Sequence, residues 1–391
     1  MRLLHTSDWH IGRTFHGHST TEALKTVLDA MVQVVRDRNV DVVLVAGDVF
    51  DSATPAAEYY EVLTGTLRAL REAGAAVILT SGNHDSATRL GFQSEFAALA
   101  GIHVLTDATR HASPVELTDA FGTVAIYGIP FLEPALLRHH YPDETLRTHE
   151  QVLGFAMRNI RADLSGRNGR SVVLSHSFVA NIATAPIHEG QMPNLERDIT
   201  AGGLDIVPLS VFDGVDYVAL GHIHGRAQLS EGVRYSGAPL HYSFSESGKP
   251  RGGWLVELGA DGLESVEWVD LPVPRTLSVL TGTIDELLTS AEYAEHEQNW
   301  VSAIVTDQAR PIDGMRRLQA RFAWCATLSH EPLVTASSSA VTYAERLRSK
   351  SDTQIVDGFL EHVRNGVGAT ETERTVIADV IASHTATEVS A

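Results

Sequence analysis

Seven residues with oxygen or imidazole side chains lie in five short motifs and could bind metal ions if the fold brought them together. They are Asp8, His10, Asp48, Asn83, His176, His222 and His224. The set contains no thiolate, so it suits hard or borderline cations such as manganese, iron or zinc. Two such cations about 3.5–4 Å apart stabilise both the attacking and the leaving oxygen of a phosphoryl transfer. The spacing therefore predicts hydrolysis of phosphate esters.

One carboxylate must hold the two cations together, and Asp48 is the predicted bridge. The other six residues divide between the ions, with Asp8, His10 and His224 on one and Asn83, His176 and His222 on the other. This division predicts two divalent ions in one centre.

Three neighbouring residues are predicted to take part in catalysis or to orient other side chains without binding the ions. His84 follows Asn83 on a tight turn and is expected to face the substrate. It would donate a proton to the leaving alkoxide, an effect worth about 10²–10⁴-fold in rate. Asp85 is expected to orient His84, and Asp51 to accept a hydrogen bond from a ligand histidine.

Each motif directly follows an apolar run of the length of a buried strand. The runs are LLHTS, VVLVA, VILTS, VVLS and VDYVAL. Strands in a β-α-β-α-β order are parallel, and their carboxyl ends lie along one edge of the sheet. Helices are expected at 20–38 and 55–73, while glycine turns between 215 and 271 indicate a second, antiparallel sheet. His5, inside the first run, is expected to be a packed core residue, and Arg251 a surface charge.

Length and composition limit the remaining possibilities. The 391 residues predict two or three domains, and Leu271-Pro272-Val273-Pro274-Arg275 predicts a boundary. The formal charge of -19 argues against unaided binding of duplex DNA. The single cysteine, Cys325, and the absence of a signal-peptide layout or a long apolar run predict a cytoplasmic protein.

The motifs resemble the calcineurin-like metallophosphoesterase superfamily over residues 1–270. Further motifs are similar to the SbcD family, the nuclease subunits of bacterial SbcCD complexes: HTSDWHIG at 5–12, GDVFD at 47–51, GNHDS at 82–86, YSGAPL at 235–240, SFSE at 243–246 and RPID at 310–313. The resemblance implies an α/β fold with a two-sheet β-sandwich core flanked by helices. It also implies a nuclease domain at 1–274, a small α+β capping domain at 275–335 and a helical partner-docking segment at 336–391.

The resemblance further implies a manganese-dependent nuclease acting in DNA end processing and repair. The activities expected from it are a 3′→5′ exonuclease on duplex ends and an endonuclease at hairpins and single strands. Asp48 would bridge two Mn²⁺ ions. The implied partners are DNA and an SbcC-like coiled-coil ATPase, with a homodimer inside a heterotetramer.

Two other functions fit the motifs. A small-molecule or nucleotide phosphodiesterase of the same superfamily would use the same ligands, since motifs alone do not determine substrate size. A scaffold protein with an idle metal site is the non-enzymatic alternative. The roughly 115 residues beyond 275 favour the nuclease, because a minimal phosphodiesterase does not need them.

Overall fold

The computed structural model describes residues 1–180, 206–333, 350–364 and 366–388. The chain divides into two compact units, Met1–Pro274 and Arg275–Ala391. The division lies within the segment whose two prolines cannot donate to a backbone ladder. Residues 334–349, which include the start of the predicted docking segment, lie outside the described ranges.

The first unit contains two six-stranded sheets, with strands numbered along the chain. The first sheet has the order β16-β15-β1-β4-β5-β6. Its strands are β1 (Arg2–Thr6), β4 (Val42–Ala46), β5 (Ala76–Thr80), β6 (Ile102–Leu105), β15 (Gly252–Gly259) and β16 (Gly262–Asp270). Strands β1, β4, β5 and β6 are parallel, whereas β15 and β16 add an antiparallel hairpin beside β1.

The second sheet has the order β13-β14-β12-β9-β8-β7. Its strands are β7 (Val115–Asp119), β8 (Gly122–Ile129), β9 (Arg170–His176), β12 (Tyr217–Gly221), β13 (Ala227–Gln228) and β14 (Val233–Tyr235). The two-residue strands β2 (Thr14–Phe15) with β3 (His18–Ser19), and β10 (Val179–Ala180) with β11 (Val207–Pro208), form separate pairs.

Two expectations about this sheet region were wrong. Within 215–271, β12 and β14 pair in parallel instead of antiparallel, whereas the pairs β13–β14 and β15–β16 are antiparallel as expected. The hairpin β15–β16 joins the first sheet instead of the second. Glycine turns mark where the chain reverses, but they do not determine which neighbour a strand pairs with, because pairing depends on tertiary packing.

Helices cover the outer faces of the two sheets, so the unit has four layers. The helices are α1 (Thr21–Asp37), α2 (Ala57–Glu72), α3 (Ala87–Leu90), α4 (Ser94–Leu99), α5 (Pro134–Leu137) and α6 (His149–Leu164). Helix α1 packs its apolar face on the first sheet, and α6 packs on the second. Alternate strand residues belong to different cores: Leu3 and Val42 lie between the sheets, whereas Leu4 and Val43 face the helices. Burial on both faces explains why the runs are continuously apolar.

The second unit contains a three-stranded parallel sheet in the order β17-β18-β19. Its elements are β17 (Leu277–Gly282), α7 (Ile284–Thr289), β18 (Trp300–Val305), α8 (Gly314–Arg321) and β19 (Cys325–His330). Two further helices, α9 (Asp352–Val363) and α10 (Glu371–Glu388), contact each other. None of the helices in the described ranges combines the length and the apolar character that crossing a bilayer requires.

His5 is buried in β1, as expected, and its neutral ring has both of its nitrogens paired. Nε2 lies 3.1 Å from the carbonyl oxygen of Leu220, to which it donates, and Nδ1 lies 2.9 Å from the hydroxyl of Tyr217, from which it accepts. Burial lowers the pKa of His5 from 6.5 to about 3. Protonation therefore favours the unfolded chain, and the stability that depends on neutral His5 is lost as pH falls from 6.5 towards 3.

We expect His5→Gln to remove this acid sensitivity. Urea unfolding of the metal-free protein should lose about 1.6 kcal/mol more in the parent than in the variant between pH 6.5 and 5, since the slope rises to about 1.4 kcal/mol per pH unit only below the unfolded pKa. Comparing the two losses cancels the constant effect of the substitution. Equal losses would show that His5 does not titrate in this way.

Candidate metal centre

The motif residues lie at strand ends in backbone conformations that side chains rarely adopt. The φ angles of Asp8, His10, Asp48 and His222 are 52°, 46°, 47° and 103°. Such residues persist only where surrounding contacts hold them, and they cluster at functional sites. Here Asp8 N donates to the Gly47 carbonyl and His10 N to the Asp48 carbonyl, each at 3.0 Å. The first and second motifs therefore hold each other in place.

One cluster of candidate ligands contains Asp8, His10 and His224. Their ligand atoms all lie within 4.8 Å of one another. Nε2 of His10 lies 3.0 Å from Nε2 of His224 and 3.7 Å from Oδ2 of Asp48. Asp48 thus borders this cluster.

A second cluster surrounds the other side of Asp48. The Oδ1 atom of Asn83 lies 3.0 Å from Nε2 of His176 and 3.1 Å from Nδ1 of His222. Nε2 of His176 lies 3.3 Å from the same Oδ2 of Asp48 that faces His10. The structure therefore brings all seven predicted ligands together, with one carboxylate between two groups.

The chemistry of these donors fits divalent cations. Nδ1 of His176 donates to the Ala46 carbonyl oxygen at 2.9 Å, which leaves the lone pair of Nε2 directed at the centre. Nδ1 of His10 lies 3.2 Å from Oδ1 of Asp51, which faces the corresponding side of that ring. Metal-bound histidines commonly donate their outer N–H to a carbonyl or carboxylate in this way. Asp51 occupies the outer position at His10.

The electrostatics of the centre favour positive charge. Burial by itself raises the pKa of Asp48, but the surrounding histidines, His176 first, hold it well below its usual range. Burial likewise lowers the pKa of His176, yet the Asp48 carboxylate offsets this and raises it to about 9. The buried carboxylate of Asp48 requires a counter-charge, which His176 supplies when protonated and which a bound cation would supply in its place, releasing that proton.

His84 lies at the mouth of the centre, with 39% of its side chain exposed. Its backbone N–H donates to Oδ1 of Asp48 at 2.9 Å, and its ring Nδ1 lies 3.0 Å from the Asp51 carbonyl oxygen. A ligand atom of His84 also lies within 4.8 Å of those of His10 and Asp48. The geometry therefore allows His84 to face either the substrate or an ion.

Asp85 has different partners from the one expected. In place of a hydrogen bond to His84, its carboxylate accepts three backbone N–H groups, those of Val49, Phe50 and Gly82, at 2.8–3.0 Å. Burial, and after it the charge of Asp48, raise the pKa of Asp85 to about 6. Asp85 therefore links the GDVFD motif to the GNHDS motif, and the carbonyl oxygen of Asp51 orients the ring of His84.

Three glycines were not among the predicted site residues although the site depends on them. A Cβ at Gly47 would overlap the ring of His176, at Gly82 the carboxylate of Asp48, and at Gly221 the carbonyl of Ala46. The available signal was their position, since each stands directly before a candidate ligand. The close packing of three motifs excludes any side chain at these points.

Comparison with protein families gives two matches. The family described as calcineurin-like phosphoesterase matches residues 1–226, a range that contains all seven candidate ligands. The family described as type 5 capsule protein repressor C-terminal domain, the SbcD C-terminal domain, matches residues 273–364. The two matches together cover most of the chain.

Solved structures give weaker similarities. A protein of Thermus thermophilus is 15% identical, covering 69% of this chain and 98% of its own, with a TM-score of 0.40. A dimetal phosphatase from Danio rerio is 14% identical with the same coverages and a TM-score of 0.39. A purple acid phosphatase from yellow lupin seeds is 12% identical, covering 66% and 49%, with a TM-score of 0.32. These scores add nothing to the family matches.

We expect Gly82→Ala to abolish metal binding, because the new methyl group would displace the Asp48 carboxylate. Metal analysis after dialysis should find less than one equivalent of divalent ion. The matched control is Gly65→Ala in α2, where a Cβ meets nothing within 4 Å. The control should keep its metal and gain about 0.5–1 kcal/mol of helix stability. Full metal content in Gly82→Ala would show that this close approach is not required.

Proposed function

The chain belongs to the calcineurin-like phosphoesterase family, and from this premise we propose that it is a manganese-dependent DNA nuclease subunit. It cleaves duplex ends as a 3′→5′ exonuclease and cuts hairpins and single strands as an endonuclease in DNA end processing and repair. The supporting observation is that one chain joins the metal centre to a match for the SbcD C-terminal domain at 273–364. A phosphodiesterase acting only on small esters does not need this second unit.

In this proposal two Mn²⁺ ions share Asp48. One ion is held also by Asp8, His10 and His224, and the other by Asn83, His176 and His222. When bound, the ions supply charge that polarises the phosphoryl group and lowers the pKa of water. Asn83 contributes a neutral oxygen, which limits the negative charge near an anionic substrate.

His84 is the proposed acid for the leaving 3′ oxygen. Its Nδ1–H donates to the Asp51 carbonyl oxygen, so Nε2 is the atom that holds and releases the proton. Its partly exposed ring lies beside His10, with ring centroids 4.9 Å apart. The hydrogen bond from its backbone N–H to Asp48 holds His84 beside the metal centre.

The proposed partners are DNA and an SbcC-like coiled-coil ATPase, which a homodimer of this chain would bind in a heterotetramer in the cytoplasm. The formal charge of -19 supports the need for a partner in holding DNA. The C-terminal helices supply an apolar surface for it: Phe359, Val363, Val376 and Val380 are 51–59% exposed. The proposed roles of 275–335 and 336–391 are shaping the DNA groove and docking the ATPase.

One experiment distinguishes the candidate functions. The protein with Mn²⁺ is incubated with an end-labelled duplex, a hairpin and bis-p-nitrophenyl phosphate, each with and without chelator. Metal-dependent cleavage of both DNA substrates supports the nuclease. Hydrolysis of the small ester alone would indicate a small-molecule phosphodiesterase, and no hydrolysis of any substrate would indicate a scaffold with an idle site.

We expect His84→Ala to retain both metal ions and to lose about 10²–10⁴-fold in DNA cleavage. Esters with a good leaving group should be much less affected, since they need little protonation. Metal analysis and turnover on both substrates test this. Loss of one metal equivalent would make His84 a ligand, and near-normal DNA cleavage would remove it from the mechanism.

We expect deletion of 336–391 to cancel stimulation by the ATPase while leaving hydrolysis of the small ester intact, because the centre lies wholly within Met1–Pro274. Phe359→Ser should weaken stimulation in the full chain, since Phe359 is exposed on α9. The matched control is Phe121→Ser, another exposed phenylalanine, on the β7–β8 turn. Equal stimulation of all four proteins would place docking elsewhere.

A further inference from the structure

A buried ion pair lies behind His224 and has no part in the chemistry described so far. Glu246 and Arg251 are each 2% exposed, and Arg251 Nη2 donates to Oε2 of Glu246. The same carboxylate oxygen accepts the Tyr242 backbone N–H at 3.3 Å. Glu246 is the last residue of the SFSE motif, which has no role in the proposed chemistry. This motif therefore lies directly against the metal centre.

The pair contacts His224 at two points. Oε1 of Glu246 lies 3.8 Å from Nδ1 of His224, the ring nitrogen that faces away from His10. Nη1 of Arg251 donates to the His224 carbonyl oxygen, which also accepts the Ala238 N–H at 3.0 Å. The Glu246–Arg251 ion pair therefore contacts both the ring and the backbone of His224.

The geometry points to Glu246 and Arg251 as positioning residues that hold His224 as a metal ligand. The argument follows from the other histidines of the centre. Asp51 stands behind His10, and the Ala46 carbonyl stands behind His176. Glu246 faces the outer nitrogen of His224 from the corresponding side, at the longer distance of 3.8 Å. An oxygen at the outer nitrogen determines the tautomer, orients the ring and strengthens the inner nitrogen as a ligand.

Arg251 is required because Glu246 is buried. A buried carboxylate without an opposite charge beside it is unfavourable, and Arg251 provides that charge. The guanidinium donates one N–H to Glu246 and a second to the carbonyl oxygen of His224, so that it also holds the backbone of the ligand itself. Arg251 was expected to be a surface charge, and its burial is the observation that indicates this role.

This inference rests on the proposed assignment of His224 as a ligand, so the experiment tests both separately. Full-length protein is freed of metal and titrated with Mn²⁺, with free Mn²⁺ measured by electron paramagnetic resonance. The variants are His224→Gln, Glu246→Gln and the double variant. The matched control is Glu257→Gln, which removes a surface carboxylate paired with Arg2 at 2.6 Å. Co²⁺ absorption spectra give a second readout of the ligand set.

We expect Glu246→Gln to weaken one of the two Mn²⁺ sites about 10–100-fold and to leave the other unchanged. In the His224→Gln background it should cause no further loss, and Glu257→Gln should bind as the parent does. Unaltered affinities in Glu246→Gln, equal weakening of both sites, or additive losses in the double variant would overturn the inference. Parent-like binding by His224→Gln would instead overturn the ligand assignment. If Glu246→Gln does not fold, Arg251→Lys replaces it in the same cycle, with the same single-site loss expected.

Discussion

The architecture depends on one electrostatic constraint: a buried carboxylate, Asp48, between two groups of imidazole and oxygen atoms. A buried carboxylate of this kind requires a counter-charge. Oxygen atoms also lie behind the candidate ligand histidines. Asp51, the Ala46 carbonyl and Glu246 each face the outer nitrogen of one of these rings. Cations bound among these ligands would balance the charge of Asp48, and the oxygen atoms outside would orient the histidines that hold them.

Backbone strain is also present at this centre. Four candidate ligands adopt positive φ angles, and three glycines leave room where motifs pass one another. Asp85 compensates with three backbone hydrogen bonds that join the loop after β4 to the loop after β5. A rigid four-layer unit with apolar cores on both faces of each sheet can maintain such loops, because each strained turn begins at the end of a buried strand.

The sequence by itself determined the five strands, the ligand types and the family resemblance, because each motif combines a local apolar run with a local turn. It correctly predicted that His5 is buried, and the family match bears out the two-sheet fold class. It was wrong about the pairing of β12 with β14, which is parallel, and about the sheet that the β15–β16 hairpin joins. It also expected one sheet edge, whereas β1, β4 and β5 lie in one sheet and β9 and β12 in the other.

Only the tertiary structure decided which residues support the ligands. Three such contacts join segments far apart in the chain. They are the hydrogen bonds of Asp85, the contact of His84 with Asp51 and the hydrogen bond of Arg251 to His224. Local pattern carries no information about such contacts, since they form only when neighbouring strands pair within a sheet and the two sheets come together. The ligand types could be read from spacing, but their geometry required the sandwich to bring the strand ends together.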